Sequence, residues 1–139
     1  MYNAILERVI DGDTCVVLIE LGLNVFKREH IRLADVNAPE TRSRDDYEKK
    51  MGEDAKCYVE RHLGPVGSKL RVRTGATGKY GRLVAYVYRE GDNVSVNERL
   101  IKEGFAFKYD GTSSRERDGH DLDELKTLRL RNGTWNETP

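Results

Sequence analysis

With 139 residues, 35% of them charged, and a mean hydropathy of −0.71, the chain has room for one core, so residues 1–139 are expected to form a single domain. No apolar run approaches the ~20 residues needed to cross a bilayer, so a soluble chain with no membrane partner is expected, and a monomer. The 24 Lys/Arg cancel the 24 Asp/Glu, so any attraction to a polyanion has to come from local clustering rather than net charge.

Residues 4–10 and 14–20 read as strands, the second carrying Thr14-Cys15-Val16-Val17-Leu18-Ile19, rich in β-branched residues. Between them Asp11-Gly12-Asp13 is a turn, with Gly12 expected at positive φ and the aspartates bonding local backbone. Gly22 marks the next turn and 24–34 a third strand. Arg32 is a charge inside that apolar strand, either salt-bridged at a sheet edge or held for a ligand. Pro39 keeps Ala38 out of the helical region and fixes the backbone just before Glu40.

Residues 41–51 are polar and aperiodic and read as a loop. Ala55, Tyr58, Val59 and Leu63 then give the spacing of a helix over 52–63, stopped by Gly64-Pro65. Leu70, Val72 and Thr74 alternate with Arg71 and Arg73, a strand with a basic outer face. Gly75 to Gly81 reads as a turn, 82–88 as the fifth strand, and 90–93 as another turn. Asn97 is expected to cap a helix running to about Glu103, ended by Gly104. Asp118 or Asp121 would cap a last helix with Leu122, Leu125 and Leu128 on one stripe, after which Trp135 packs back on the body. Five strands, three of them before any helix, with about three helices, describe an α+β chain, mainly β, closed into a five-stranded OB-type barrel.

Charge is unevenly spread. Residues 61–90 hold seven Lys/Arg against one acid, Glu90, a local basic stripe. Cys15 and Cys57 form no Cys-x-x-Cys pair, which argues against zinc, and both read as buried free thiols. His30, His62 and His120 lack ligand spacing and read as structural or surface residues. Two glycosylation sequons, at Asn132 and Asn136, read as chance matches. No signal peptide opens the chain, so it is expected to be cytoplasmic as it stands, or secreted if a precursor was trimmed.

If the breaks at 11–14 and 37–40 lie together, Asp13, Asn37, the Ala38 carbonyl and Glu40 converge at one sheet end. Oxygen-only donors of that kind suit a hard divalent cation such as calcium. Arg32 and Arg82 would stand beside a bound anion such as phosphate. Plainer roles exist for each: a turn-capping aspartate, a loop acid, an edge salt bridge.

Asp11-Gly12-Asp13-Thr14, Arg32-Leu33, Ala38-Pro39-Glu40 and Tyr80-Gly81-Arg82 recur in the order and approximate spacing of the staphylococcal-nuclease-like (thermonuclease) family. Val96-Asn97-Glu98-Arg99-Leu100 and Gly104-Phe105-Ala106 resemble that family's next helix, so the match runs from about residue 4 to Trp135. The resemblance implies the OB-type fold and a calcium-dependent endonuclease acting on DNA and RNA, single-stranded or frayed, with little sequence preference and 3′-phosphate products. It implies Asp13 as calcium ligand, Arg32 and Arg82 as phosphate-binding arginines, and Glu40 as general base or water-orienting carboxylate. Lys79, Tyr80 and Tyr109 would touch the substrate's phosphate or base.

The chain departs from the family pattern at Asn37, where a second calcium-binding aspartate is usual. One charge at ~4 Å interacts with about 4 kcal/mol at an effective dielectric near 20, so weaker metal binding is expected, with Asp35 a candidate to restore part of the field. Ala38 replaces a frequent threonine and Gly78 an acid. Loss of the charge at Asn37 and the neutral net charge fit a second reading, a catalytically silent OB module that binds single-stranded nucleic acid.

Overall fold

β1 (Tyr2–Asp11) buries Ala4 and Leu6 on one side and leaves their neighbours outward, the period-two signature of a half-buried strand. The computed structural model describes residues 1–77, 82–109 and 122–135. After β1 come β2 (Thr14–Gly22), β3 (Val25–Leu33), the two-residue β4 (Val36–Asn37), α1 (Asp46–Leu63), β5 (Lys69–Thr77), β6 (Leu83–Arg89), α2 (Val96–Lys102), the two-residue β7 (Phe107–Lys108) and α3 (Leu122–Asn132). β1, β2, β3, β6 and β5 close a barrel in that order, and β4 pairs with β7 apart from it. Four seams are antiparallel and the β3–β6 seam is parallel, with Arg32 level with Val84. Five barrel strands with three helices is the architecture expected of the sequence.

The core fills the barrel and the space under α1 and α2: Val17, Ile31, Leu33, Val72 and Val87 from strands meet Ala55, Val59, Leu63 and Leu100 from helices, all essentially inaccessible to water. No described helix is long and apolar enough to cross a membrane.

Four local expectations are corrected. Residues 46–51 are helix rather than loop: Asp45 caps α1 by accepting from the Tyr47 N–H at 3.0 Å, and acids fill the first turn. Met51, Ala55, Val59 and Leu63 form one buried stripe, of which only the last three were visible as a run. β5 continues to Thr77, through Gly75, so the expected turn shrinks to residues outside the described ones. Ser95, whose side chain accepts from Glu98 N–H, caps α2 in place of Asn97. On α3 the stripe is Leu125 and Arg129, with Leu128 half-buried against Gly104; the candidate caps Asp118 and Asp121 lie outside the described residues. Trp135 does pack back, edge-on to Tyr47 with ring centroids 6.3 Å apart.

Asn97 is buried because it joins three elements. Its Oδ1 accepts from Val87 N–H at 3.0 Å, and its Nδ2 donates to Ala34 O at 2.9 Å and Ala85 O at 3.0 Å. This stitches α2 to β6 and to the turn leaving β3. Cys15 is buried as expected, whereas Cys57 falls on the solvent face of α1 between the buried positions and is exposed. His30 is exposed, and His62 sits beside Asp92; His120 lies outside the described residues.

Candidate active site

Two chain breaks meet at one end of the barrel. At the first, Asp13 N–H donates to Asp11 Oδ1 at 3.0 Å, closing the turn between β1 and β2. Gly12 does not adopt positive φ there; it is required for space, since a Cβ would fall 2.7 Å from that of Ala55 and 2.9 Å from that of Ala38. The absent side chain lets the first break press against both α1 and the second break. Leu33 N–H donates to Asp13 O at 2.8 Å, extending the β2–β3 pairing in which Thr14 is level with Arg32.

The Asp13 carboxylate is the hinge of the cluster. Its Oδ2 accepts from Ala38 N–H at 3.0 Å, and Arg32 Nη1 lies 3.6 Å from the same oxygen. Its Oδ1 accepts from the Thr14 hydroxyl at 3.2 Å. Arg32 also donates to Leu33 O at 3.1 Å, and its guanidinium lies 5.7 Å from the centre of the Tyr109 ring. The charge inside the strand thus has a counter-ion, a carbonyl and an aromatic neighbour, which offsets its desolvation.

Glu40 follows two residues after Ala38 and is exposed. Its loop is seated on α1: at Gly52 a Cβ would meet Pro39 O and Thr41 N at 2.8 Å and Glu40 C at 2.9 Å. Glu40 N–H donates to Glu48 Oε2 at 3.3 Å. The N-terminal half of α1, which polar composition disguised as loop, is therefore what positions this acid. Arg82 is half-buried immediately ahead of β6, two residues before the Val84–Arg32 level, and makes no ion pair or hydrogen bond with the described residues. Lys79 and Tyr80 lie outside the described residues. Asn37 closes β4 opposite Phe107.

Asp35 does not serve the cluster as anticipated. It adopts φ 64° in the turn after β3, its carboxylate accepts from the Tyr86 hydroxyl, and its carbonyl accepts from Tyr109 N–H. The turn breaks strand regularity, so the two-residue spacing to Asn37 does not carry the two side chains to one face.

Electrostatics mark the cluster. Burial, the hydrogen bond with Asp13 and repulsion from Asp13 push Asp11 up to about 7, with a smaller push from Glu40. Like charge is crowded among oxygen donors, a condition that a hard cation relieves. Among the described residues no three His, Cys, Asp or Glu gather with ligand spacing. An ion here would rest on few carboxylates and on neutral oxygens, the type that Asn37 and the Ala38 carbonyl supply, and such a donor set fits calcium or magnesium rather than zinc.

With this geometry in view, the comparisons are specific. The family described as "Staphylococcal nuclease homologue" matches residues 30–137. The chain is similar to Endonuclease YhcR of Bacillus subtilis, 36% identical over 78% of this chain and 9% of that protein. It is also similar to Endonuclease YncB of the same organism, 36% identical over 76% of this chain and 47% of the relative. Thermonuclease of Staphylococcus hyicus is 33% identical over 71% of this chain and 54% of the relative. The chain spans about half, or less, of the length of these curated relatives.

Proposed function

The chain belongs to the staphylococcal nuclease homologue family, and from that premise we propose that it is a calcium-dependent endonuclease hydrolysing phosphodiester bonds of DNA and RNA with little sequence preference. The observation that supports this most directly is Asp13 held between Ala38 N–H at 3.0 Å and Arg32 at 3.6 Å, because it brings both chain breaks and a guanidinium group suited to phosphate into one cluster. Asp13 itself precedes the matched span 30–137, so its assignment rests on this contact and on the Asp-Gly-Asp-Thr motif.

Asp13, Asn37 and the Ala38 carbonyl are the residues that would hold the ion. When bound, the ion supplies positive charge that neutralises the phosphate and orders water beside it. Arg32, anchored through one nitrogen to Leu33 O, keeps the rest of its fork for phosphate oxygens; Arg82 grips from just ahead of β6, the strand beside β3. Charge growing on those oxygens is met by two fixed guanidinium groups, each worth about 3 kcal/mol at the transition state by comparison with one lost oxyanion donor. Glu40 takes a proton from the attacking water, whose oxygen bonds to phosphorus as the bond to the 5′ oxygen breaks. The products are a 3′-phosphate and a 5′-hydroxyl. Tyr109, beside Arg32, and Lys79 and Tyr80 contact the substrate, rings stacking on any base.

The test is digestion of labelled single-stranded DNA and RNA across a calcium titration. Cleavage is expected with calcium, lost in EDTA, and reduced at least a hundredfold by Glu40→Gln or Arg82→Ala. Full activity in EDTA would reject the metal role. Asn37 and the small number of carboxylates favour one other reading, a module that binds single strands without cutting them; binding with no cleavage at saturating calcium would select it.

A further inference from the structure

The outer face of β5 and β6 carries a block of guanidinium and phenol groups that the proposed cleavage does not use. Cross-strand pairing sets Arg71 opposite Tyr88 and Arg73 opposite Tyr86, and the i, i+2 spacing puts all four on one face while Val72 and Val87 point into the core. The Arg73 guanidinium lies over the Tyr86 ring at 4.2 Å, and its Nη2 is 3.4 Å from the Tyr88 hydroxyl. The Tyr86 hydroxyl in turn donates to Asp35. Arg73 is thus held over an aromatic ring and bonded at one nitrogen to a second phenol, while remaining exposed to solvent.

Arg73, Tyr86 and Tyr88 border a hollow of about 360 Å³, within the size range of small-ligand sites. Lys102 from α2 and Lys108 from β7 line its other side, both exposed. The acids in the lining are Asp35, already accepting from Tyr86, and Glu98. Three cations against two acids, one of them engaged, leave the hollow attractive to an anion.

The hollow adjoins the candidate active site along one ridge. Lys108 and Tyr109 are consecutive: Lys108 lines the hollow, and the Tyr109 ring stands 5.7 Å from the Arg32 guanidinium. Asp35 joins the two sides, its carbonyl accepting from Tyr109 N–H at 2.8 Å and its carboxylate from Tyr86. A strand lying across Arg32 and Tyr109 would pass directly onto Lys108 and Arg73.

We propose that this hollow is a nucleotide subsite for single-stranded nucleic acid, in which a base stacks on the Arg73–Tyr86 pair and Lys102 and Lys108 meet the flanking phosphates. Arginine planes and tyrosine rings both accept any base, so the subsite adds affinity and length dependence without sequence preference. Arg73 is ordered before the ligand arrives, which reduces the entropy lost on stacking. The subsite presupposes the nucleic-acid substrate inferred above, and its test is independent of cleavage.

Equilibrium binding of fluorescein-labelled oligothymidylates in EDTA, read by anisotropy, provides that test. The unaltered chain should bind (dT)12 more tightly than (dT)3. In Arg73→Ala that gain from length should fall about tenfold, the loss of one stacked base, and in Tyr88→Ala, which frees the edge of Arg73, it should fall by less. Lys102→Glu and Lys108→Glu, at exposed positions that leave the core intact, should lower it as well and make its loss with salt shallower. An undiminished length gain in all four variants, each checked for an unchanged melting temperature, would overturn the subsite. A gain abolished by the lysine changes but untouched by Arg73→Ala and Tyr88→Ala would overturn the stacking role. A chain that binds with this pattern yet cuts nothing would refute the nuclease reading and leave the subsite standing.

Discussion

Ala38 N–H donates to Asp13 Oδ2 at 3.0 Å, so residues 25 positions apart share one hydrogen bond between two chain breaks. The bond fixes where the carboxylate points and uses part of its acceptor capacity. It also sets Asn37 immediately beside the carboxylate along the chain. A negative side chain at that position would add its charge to the field of Asp13.

Asn37→Asp should therefore lower the calcium concentration for half-maximal cleavage. One further charge near ~4 Å is worth up to about 4 kcal/mol before desolvation, so a tenfold drop is a conservative expectation. Asp13→Ala should raise the requirement by at least tenfold. Calcium titrations of the three chains decide the matter: a requirement unchanged or higher in Asn37→Asp means that position 37 supplies no ligand.

Gly52 offers a test of how Glu40, the proposed general base, is held. Ala is the better helix former by ~1 kcal/mol, which alone predicts a more stable chain. At this site its methyl would lie 2.8 Å from Pro39 O and Thr41 N, and these are backbone atoms that cannot swing aside. The loop must shift, at a cost of about 1–3 kcal/mol, so the net effect of Gly52→Ala is a lower melting temperature. A displacement near 1 Å at Glu40 should also reduce kcat by about a hundredfold with little change in KM. A kcat within twofold of the unaltered chain would show that α1 does not position the acid.

Much of this was legible in the residues and some was not. Alternating strands and the Gly64-Pro65 stop marked the barrel strands and the end of α1, because period-two burial leaves a trace in one strand at a time. The first two turns of α1 left no such trace: Asp46, Glu48, Lys49 and Lys50 are charged and show no apolar period, and the meaning of Met51 and Gly52 depends on a loop packed across them. Asn97 looked like a cap because asparagine often is one; only the closing of β6 beside the β3 turn reveals the three groups it satisfies. Gly12 reads in sequence as a positive-φ turn residue, whereas what requires it is crowding by Ala38 and Ala55, partners distant in sequence. Asp35 illustrates the same limit: a single residue at positive φ redirects a side chain that regular strand geometry would place beside Asn37.

Asn97→Leu should be among the most destabilising single changes. Leucine is close in size but leaves Val87 N–H and Ala34 O buried without their Asn97 partner, while Ala85 O keeps the bond from Ala34 N–H at 2.9 Å. Each such group costs about 1–3 kcal/mol, so a total loss of roughly 3 kcal/mol or more is expected, read by urea unfolding. A loss below ~1 kcal/mol would mean that water or backbone movement satisfies these groups.

Acid should destabilise the chain in two separable steps centred on Asp92. Arg99 donates to both its oxygens, at 3.2 and 3.0 Å, and Val94 N–H adds a third bond at 3.0 Å. These bonds, Arg99 first, hold the folded carboxyl at about 2 against 3.8 when unperturbed. Below pH 4 the unfolded chain takes up a proton that the folded one refuses, so stability is complete above that value and falls as pH drops toward 2. His62, whose Nε2 lies 3.3 Å from Asp92 Oδ2 but out of line for a hydrogen bond, is shifted downward chiefly by burial and then by Arg99. The unfolded histidine protonates first, so stability also begins to fall as pH drops through 6.5. Urea unfolding from pH 8 to 2 should show both steps, with the Asp92 step about 1 kcal/mol once solvent screening is allowed for. His62→Gln should remove the upper step and Asp92→Asn the lower; if each variant keeps the full acid response, the linkage lies in other groups.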